Sequence, residues 1–248
     1  MVFFLIPAYD EERTVGLLLY KLRKVMEDVR RRYVVLVLDD GSNDGTAEHV
    51  ESYKRLVPVL LFRHGSNRGY GVALDRLIRE ACRMSRVPER DVAITLDADF
   101  TVDPEPVPQM IREIEAGADL VIGSTLAPQG KAERAPLRSR MFSKVLPLIY
   151  RSVQPVGGVA DYASSFRAYR IALLKRGLRE FQEGLVSSPG RAAGAQLLLR
   201  LGALAPAVKE IPVKSRYDIR TRPSRFRLRK SVREHWRLGS APSPGGAR

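Results

Sequence analysis

The first 125 residues alternate between two hydrophobic periods, and that alternation narrows the fold more than anything else in the chain. Phe3–Pro7 is a short apolar run ending in proline. Val15, Leu18, Leu19, Leu22, Val25, Met26 and Val29 then recur at helical spacing, one apolar face of an amphipathic helix. Val34–Leu38 is a β-branched strand that runs into the turn Asp39-Asp40-Gly41-Ser42, and a second helix is expected over 47–56. Val59–Phe62 reads as a strand, and Leu74, Leu77, Ile78 and Ala81 as a helix face. Val92–Leu96 is a strand, Val107, Met110, Ile111 and Ile114 form another helix face, and Leu120–Gly123 is a further strand. Continuous apolar strands alternating with helices predict an α/β fold, with a mainly parallel central sheet and helices on both faces.

Ligands in such sheets gather beyond the carboxyl ends of the strands. Three polar clusters fall there: Pro7-Ala8-Tyr9-Asp10-Glu11, Asp39-Asp40-Gly41-Ser42, and Asp97-Ala98-Asp99. Each has an ordinary structural explanation, since Asp and Gly build turns and acids favour helix N-termini. The three together predict one site. Alternation along an extended strand would put Asp97 and Asp99 on the same side, projecting from the strand end rather than into the core. Two acids so close repel unless a cation lies between them. Mg²⁺ or Mn²⁺ bound by one or two carboxylates, phosphate oxygens and water is the matching ligand, and a diphosphate its natural carrier. Glycines in Asn67-Arg68-Gly69-Tyr70-Gly71, opening a helix, fit either a turn or the approach of an anion.

These motifs resemble family 2 glycosyltransferases of the GT-A fold: Phe4–Glu12, Leu38–Thr46, Asn67–Gly71 and Leu96–Asp99, in that order. A later segment, Asp161-Tyr162-Ala163-Ser164-Ser165-Phe166-Arg167, is similar to the Asp-x-x-Ser-Gly-Phe-Arg stretch of dolichyl- and polyprenyl-phosphate sugar synthases. The resemblance runs from about residue 2 to about residue 215. It implies that Pro7, Tyr9 and Glu11 wall the nucleotide base and ribose, with Asp39 or Asp40 as a second contact. It implies that Asp97, Ala98 and Asp99 meet the ribose and a metal-bound diphosphate, with Asp97, Asp99 and Thr101 at the metal.

Three positions depart from the family pattern. Thr101 stands where a glutamine ligand is usual, Thr125 where an arginine follows Gly-Ser, and Ser165 where the Ser-Gly-Phe-Arg stretch has glycine. The implied reaction is inverting, metal-dependent transfer of a sugar from a nucleoside-diphosphate sugar, of GDP-mannose or UDP-glucose type, to a polyprenyl or dolichyl phosphate. An anionic phosphate acceptor needs cationic groups to position it rather than a base. Arg138, Arg140 and Arg167, with Lys144, are the candidates. A hydroxyl acceptor would need a base, and Asp161 is the candidate there, unless it is a structural carboxylate bonding Arg167 or Arg170. A nucleotide-sugar-binding protein with little turnover is the competing class.

Charge is unevenly spread. Residues 1–125 carry a net −4 and residues 126–248 a net +18, giving +14 overall. Within 214–237 there are 10 basic and 2 acidic residues. Such a bias calls for an anionic partner. With sparse aromatics and no nucleic-acid module, an anionic membrane surface is expected rather than nucleic acid. The expected organisation is a catalytic domain over 1–213, made of a nucleotide-sugar half (1–125) and an acceptor half (126–213). A basic segment (214–238) and a disordered tail rich in Gly, Pro and Ser (239–248) follow. Residues 137–153 read as a basic amphipathic helix. No apolar run approaches the roughly 18 residues of a membrane span, and no signal peptide is expected. The expected location is cytoplasmic, peripheral on the inner membrane face. The one cysteine, Cys82, reads as a packed thiol.

Overall fold

The computed structural model describes residues 1–133 and 156–216. The expected basic helix over 137–153, with Arg138, Arg140 and Lys144, lies outside the described residues, as does everything beyond 216. Seven strands form the main sheet: β1 (Val2–Ala8), β2 (Tyr33–Asp39), β3 (Val59–Arg63), β4 (Val92–Thr95), β5 (Leu120–Ser124), β7 (Arg167–Arg170) and β8 (Val208–Pro212). Their order is β3-β2-β1-β4-β7-β5-β8. All neighbours pair parallel except β7, which runs antiparallel to both β4 and β5. A small ribbon of β6 (Lys131–Glu133) and β9 (Lys214–Arg216) lies apart. An antiparallel bridge between Ser215 and Val102 joins it to the chain just after the Asp97-Ala98-Asp99 turn.

The strands β1, β2, β4 and β5 are buried on both faces, which is why they are apolar almost without interruption. Phe3 and Leu5 of β1 pack into one apolar cluster with α3 (Tyr70–Met84), α5 (Ile171–Phe181) and α6 (Ala192–Leu204). Val2, Phe4 and Ile6 pack into the other with α1 (Glu12–Glu27) and α4 (Val107–Glu115). Cys82 is buried on the apolar side of α3, and burial pushes its thiol up to about 12. The second helix is shorter than expected: α2 covers Thr46–Ser52, and Tyr53–Arg55 tightens into a 3₁₀ turn.

Pro7 lies in a central strand without harm. Leu5 O accepts from Leu96 N on the β4 side, and Ala8 O accepts from Asp40 N on the β2 side. Residues of a strand alternate sides, so Pro7 faces β4, whose pairing with β1 stops at Leu5↔Thr95. No ladder bond is missing there.

The N-termini of α1 and α2 cap each other. Glu11 N donates to Thr46 Oγ1 and Glu12 N to Asp44 Oδ2, while Gly45 N donates to Glu12 Oε2. Helix ends leave backbone donors orphaned. Here each helix supplies acceptors for the other, which fixes the first two polar clusters side by side.

The glycines before α3 serve close packing rather than an anion. Gly71 N donates to Pro189 O at 3.0 Å. A Cβ on Gly71 would lie 1.8 Å from Ser188 O, and Gly69 holds φ at +99° beside Pro189. We predict that Gly71→Ala destabilises the protein by about 2 kcal/mol, the scale of an overpacked core. Gly65→Ala, in open space, should change stability by less than about 0.5 kcal/mol. Urea denaturation of the two variants checks this.

Candidate active site

Three turns meet beyond the carboxyl ends of β4 and β5. The first follows β4. Asp97 and Asp99 lie in a turn past the strand end, not on the extended strand itself, so strand alternation does not govern them. Asp99 is only 3% exposed, whereas the sequence placed both acids outside the core. Phe100, at φ +54°, bends the chain and packs inward. That bend lets Thr101 donate to Asp99 Oδ1 through its backbone N at 3.0 Å and its hydroxyl at 2.6 Å. Thr101 therefore orients Asp99.

The second turn, after β5, carries Ser124 and Thr125. The third, Asp161–Phe166, leads into β7. Asp161 is 2% exposed and accepts four hydrogen bonds. Thr125 N and Oγ1 reach Oδ2 at 3.1 and 3.2 Å, while Ala163 N and Ser164 N reach Oδ1 at 3.1 and 3.0 Å. Thr125, where the family pattern has arginine, is the partner that joins the second and third turns. Neither arginine considered for Asp161 is its partner. Arg170 pairs with Asp119 at 3.2 Å. Arg167 is 1% exposed and donates to Tyr162 O at 3.0 Å and to Gly194 O, while its Nε finds no acceptor among the described residues. It is buried and bound to backbone carbonyls of the third turn and of α6.

Sequence reasoning missed Arg191. Its guanidinium donates to Asp97 Oδ2 at 2.8 Å and lies 5.5 Å from the Tyr70 ring centroid. The side chain is half-exposed, so it can meet a ligand. Asp97 beside it raises its pKa, with burial opposing and Asp99 adding to the rise, so it stays protonated at all working pH. Tyr70's phenol is pushed well up by burial first and then by Asp97, so it stays neutral. Ser165 Oγ donates to the same Asp97 Oδ2 at 2.9 Å. The loop before Arg191 is held by Gln196, whose Oε1 accepts from Ser187 N and Ser188 N. One signal was available in the sequence. Arg191 occupies the N-cap of α6, where the helix dipole disfavours a cation. An arginine there implies a nearby acid.

At the β1 and β2 ends, Asp39 and Asp40 divide their work. Asp40 is spent on structure: it accepts from His64 Nδ1 at 2.6 Å, Arg68 N at 3.0 Å and Gly69 N at 2.8 Å. Asp39 accepts from Ser42 N at 3.0 Å. Among the described residues its buried Oδ2 has no hydrogen bond, only the Arg63 guanidinium at 3.3 Å. Glu11 is buried and accepts from Thr14 Oγ1 at 3.0 Å. Pro7 is the penultimate residue of β1, and Tyr9 follows the strand's end. Ala98 is buried between the two acids of the first turn.

Among the described residues no three His, Cys, Asp or Glu side chains gather to hold a metal. A diphosphate-borne Mg²⁺ or Mn²⁺ does not require three, because it uses one or two carboxylates and completes its shell with phosphate and water. Asp99 and Asp97 fit that donor set.

The sequence profile described as "Glycosyl transferase family 2" matches residues 3–178. The chain belongs to that family. It is 27% identical over 234 residues to a dolichol-phosphate mannosyltransferase of Pyrococcus furiosus, covering 94% of this chain and 61% of that one. It is 34% identical over 176 residues to an undecaprenyl-phosphate 4-deoxy-4-formamido-L-arabinose transferase of Pseudomonas fluorescens, covering 70% and 48% respectively. The chain thus spans about half to three-fifths of the length of these curated relatives. The fold is that of Mycobacterium tuberculosis glucosyl-3-phosphoglycerate synthase, solved with Mn²⁺, UDP-glucose and phosphoglyceric acid. The TM-score is 0.63 at 18% identity, over 99% of this chain and 82% of that one. Together with the mixed, mainly parallel sheet, this is the GT-A fold of nucleotide-sugar transferases within family 2.

The hydrogen bonds of Asp161 give a direct check. Asp161→Asn replaces one accepting oxygen with an NH₂ and leaves at least one backbone donor of the turns unmet. We predict a loss of about 1–3 kcal/mol in stability, read as a lower unfolding midpoint.

Proposed function

We propose that the protein transfers a sugar, with inversion, from a nucleoside-diphosphate sugar to a polyprenyl or dolichyl phosphate at a membrane surface. The observation that carries the acceptor class is Asp161. Four donors occupy this one candidate base and it is 2% exposed, so it is poorly placed to take a proton from a hydroxyl. A phosphate acceptor is already anionic and needs none. The relatives named for dolichol phosphate and undecaprenyl phosphate support the same class.

On this reading the 1–125 half holds the donor and the later half the acceptor. Pro7, Tyr9 and Glu11 line the base and ribose. Of the two acids left open by the sequence, Asp39 is the better base contact, because Asp40 is committed to the loop before α3. Asp39 Oδ2 would accept an N–H from the base while Arg63 donates to a neighbouring carbonyl, an edge that uracil and guanine both present. Asp97 and Asp99 hold the ribose and the metal-bound diphosphate. A bound divalent ion would offset the charge that builds on the departing diphosphate. Arg191, which bonds Asp97, would donate to the diphosphate in the role that Thr125 cannot fill. Arg167 would act by holding the start of α6 to the turn that ends in β7.

Arg138 and Arg140 remain the proposed holders of the acceptor phosphate, and the basic segment from 214 the proposed membrane contact. No helix among the described residues is long and apolar enough to cross a membrane. The proposed peripheral place on the cytoplasmic face rests instead on the net +18 of residues 126–248.

The test is release of nucleoside diphosphate from UDP- and GDP-sugars with Mn²⁺, with and without a polyprenyl phosphate. Release that depends on the lipid phosphate is expected. Turnover onto an uncharged sugar hydroxyl in preference to the phosphate would overturn the acceptor class. Asp99→Ala should abolish metal-dependent nucleotide binding. Arg191→Gln should weaken it about tenfold, the scale of one charged hydrogen bond. Calorimetric titration with the diphosphate reads both.

A further inference from the structure

Asp97 Oδ2 accepts two hydrogen bonds at once, from Ser165 Oγ at 2.9 Å and from the Arg191 guanidinium at 2.8 Å. A carboxylate oxygen offers about two lone-pair directions, so this one is filled. Ser165 can fill it only because serine stands where the family pattern has glycine, which has no hydroxyl. Its place is well fixed: its carbonyl accepts from Thr95 Oγ1 at 2.6 Å, and the neighbouring Ser164 Oγ donates to Gly123 O at 2.6 Å. Arg191 brings a full positive charge to the same oxygen and is steadied by Tyr70.

The second acid is treated alike. Asp99 Oδ1 accepts from both the backbone N and the hydroxyl of Thr101, again at a position that departs from the family pattern. A divalent ion approaching without substrate therefore meets two carboxylates that each have an oxygen engaged, and one of them carries an arginine. Donors on a carboxylate draw off the negative charge a metal would use, and a fixed cation repels a second one.

We propose that Ser165 tunes the metal site: by filling Asp97 Oδ2 beside Arg191, it shifts the divalent ion onto Asp99 and makes the ion's binding depend on a nucleoside diphosphate. The phosphate oxygens then complete the shell that the protein leaves short. Ser165 acts through Asp97 and is a positioning residue. The inference rests on the donor site proposed above.

The test titrates Mn²⁺ into the full chain and follows the free-ion signal by electron paramagnetic resonance, first alone and then with UDP or GDP. In the parent, Mn²⁺ alone should bind weakly and nucleotide should tighten it at least about tenfold. Ser165→Ala removes the hydroxyl without adding backbone freedom. It should tighten Mn²⁺ alone by about tenfold, the scale of one hydrogen bond to a charged group. Ser165→Gly should move it the same way. Affinity for nucleotide without metal should hold, which a general loosening of the turn would not allow. Unchanged or weaker Mn²⁺ binding by Ser165→Ala overturns the inference. So does a parent that binds Mn²⁺ as tightly without nucleotide as with it. In both cases nucleotide binding by the parent leaves the donor site standing. A parent that binds neither nucleotide under any metal condition overturns the donor site and this inference with it.

Discussion

Four residues, Arg167–Arg170, run against every strand beside them, and the meeting of the three turns of the candidate site depends on that reversal. β7 pairs with β4 through Thr95↔Arg167 and with β5 through Ile122↔Arg167. Had β4 and β5 paired directly, their carboxyl ends would be one strand spacing apart, about 4.8 Å. With β7 between them they stand about two spacings apart. Because β7 is antiparallel, its amino end lies at their carboxyl ends, and the turn that enters it arrives in the gap. That is how Ser165 reaches Asp97, Ser164 reaches Gly123 O, and Asp161 reaches Thr125.

The same reversal explains how two arginines share one task. Arg167 opens β7 and is buried, bound to the carbonyls of Tyr162 and Gly194. A buried guanidinium is costly to desolvate. What it gains is a tie between the third turn and the first turn of α6. Arg191 caps that helix and reaches out to Asp97. One arginine is fixed so that the other can be placed.

The sequence made the first half legible because apolar period and turn chemistry agree there. β1 to β5 and their helices fall where the alternation puts them, and the three polar clusters do share one edge. β7 was not legible as a strand. Arg-Ala-Tyr-Arg has no run of β-branched residues, and its place depends on pairing with two partners far along the chain. Tertiary pairing decided it rather than local preference. The length of α2 and the turn at Asp97 were missed for a like reason: a 3₁₀ turn and one residue at φ +54° leave little mark in composition. The glycines before α3 were ambiguous until the 188–189 backbone was seen to lie on them.

The acids show where sequence reading ends. Asp40 and Asp161 look as functional as Asp39 and Asp97, and residue type cannot separate them. Their partners do. Asp40 and Asp161 accept from backbone N–H groups, which cannot leave without unfolding a turn. Asp39 accepts from one backbone N–H, that of Ser42, and Asp97 from the Ser165 hydroxyl, but each also faces an arginine, Arg63 or Arg191, whose side chain is 57% or 50% exposed. A half-exposed ion pair is held weakly, because water and salt compete for both partners. Such an arginine can turn from the acid to an incoming ligand at little cost and leave the acid to the same ligand. The unliganded site thus carries its own cations where base and diphosphate would lie. An exchangeable arginine thus marks Asp39 and Asp97 apart from Asp40 and Asp161, while Asp99 keeps its backbone bond from Thr101.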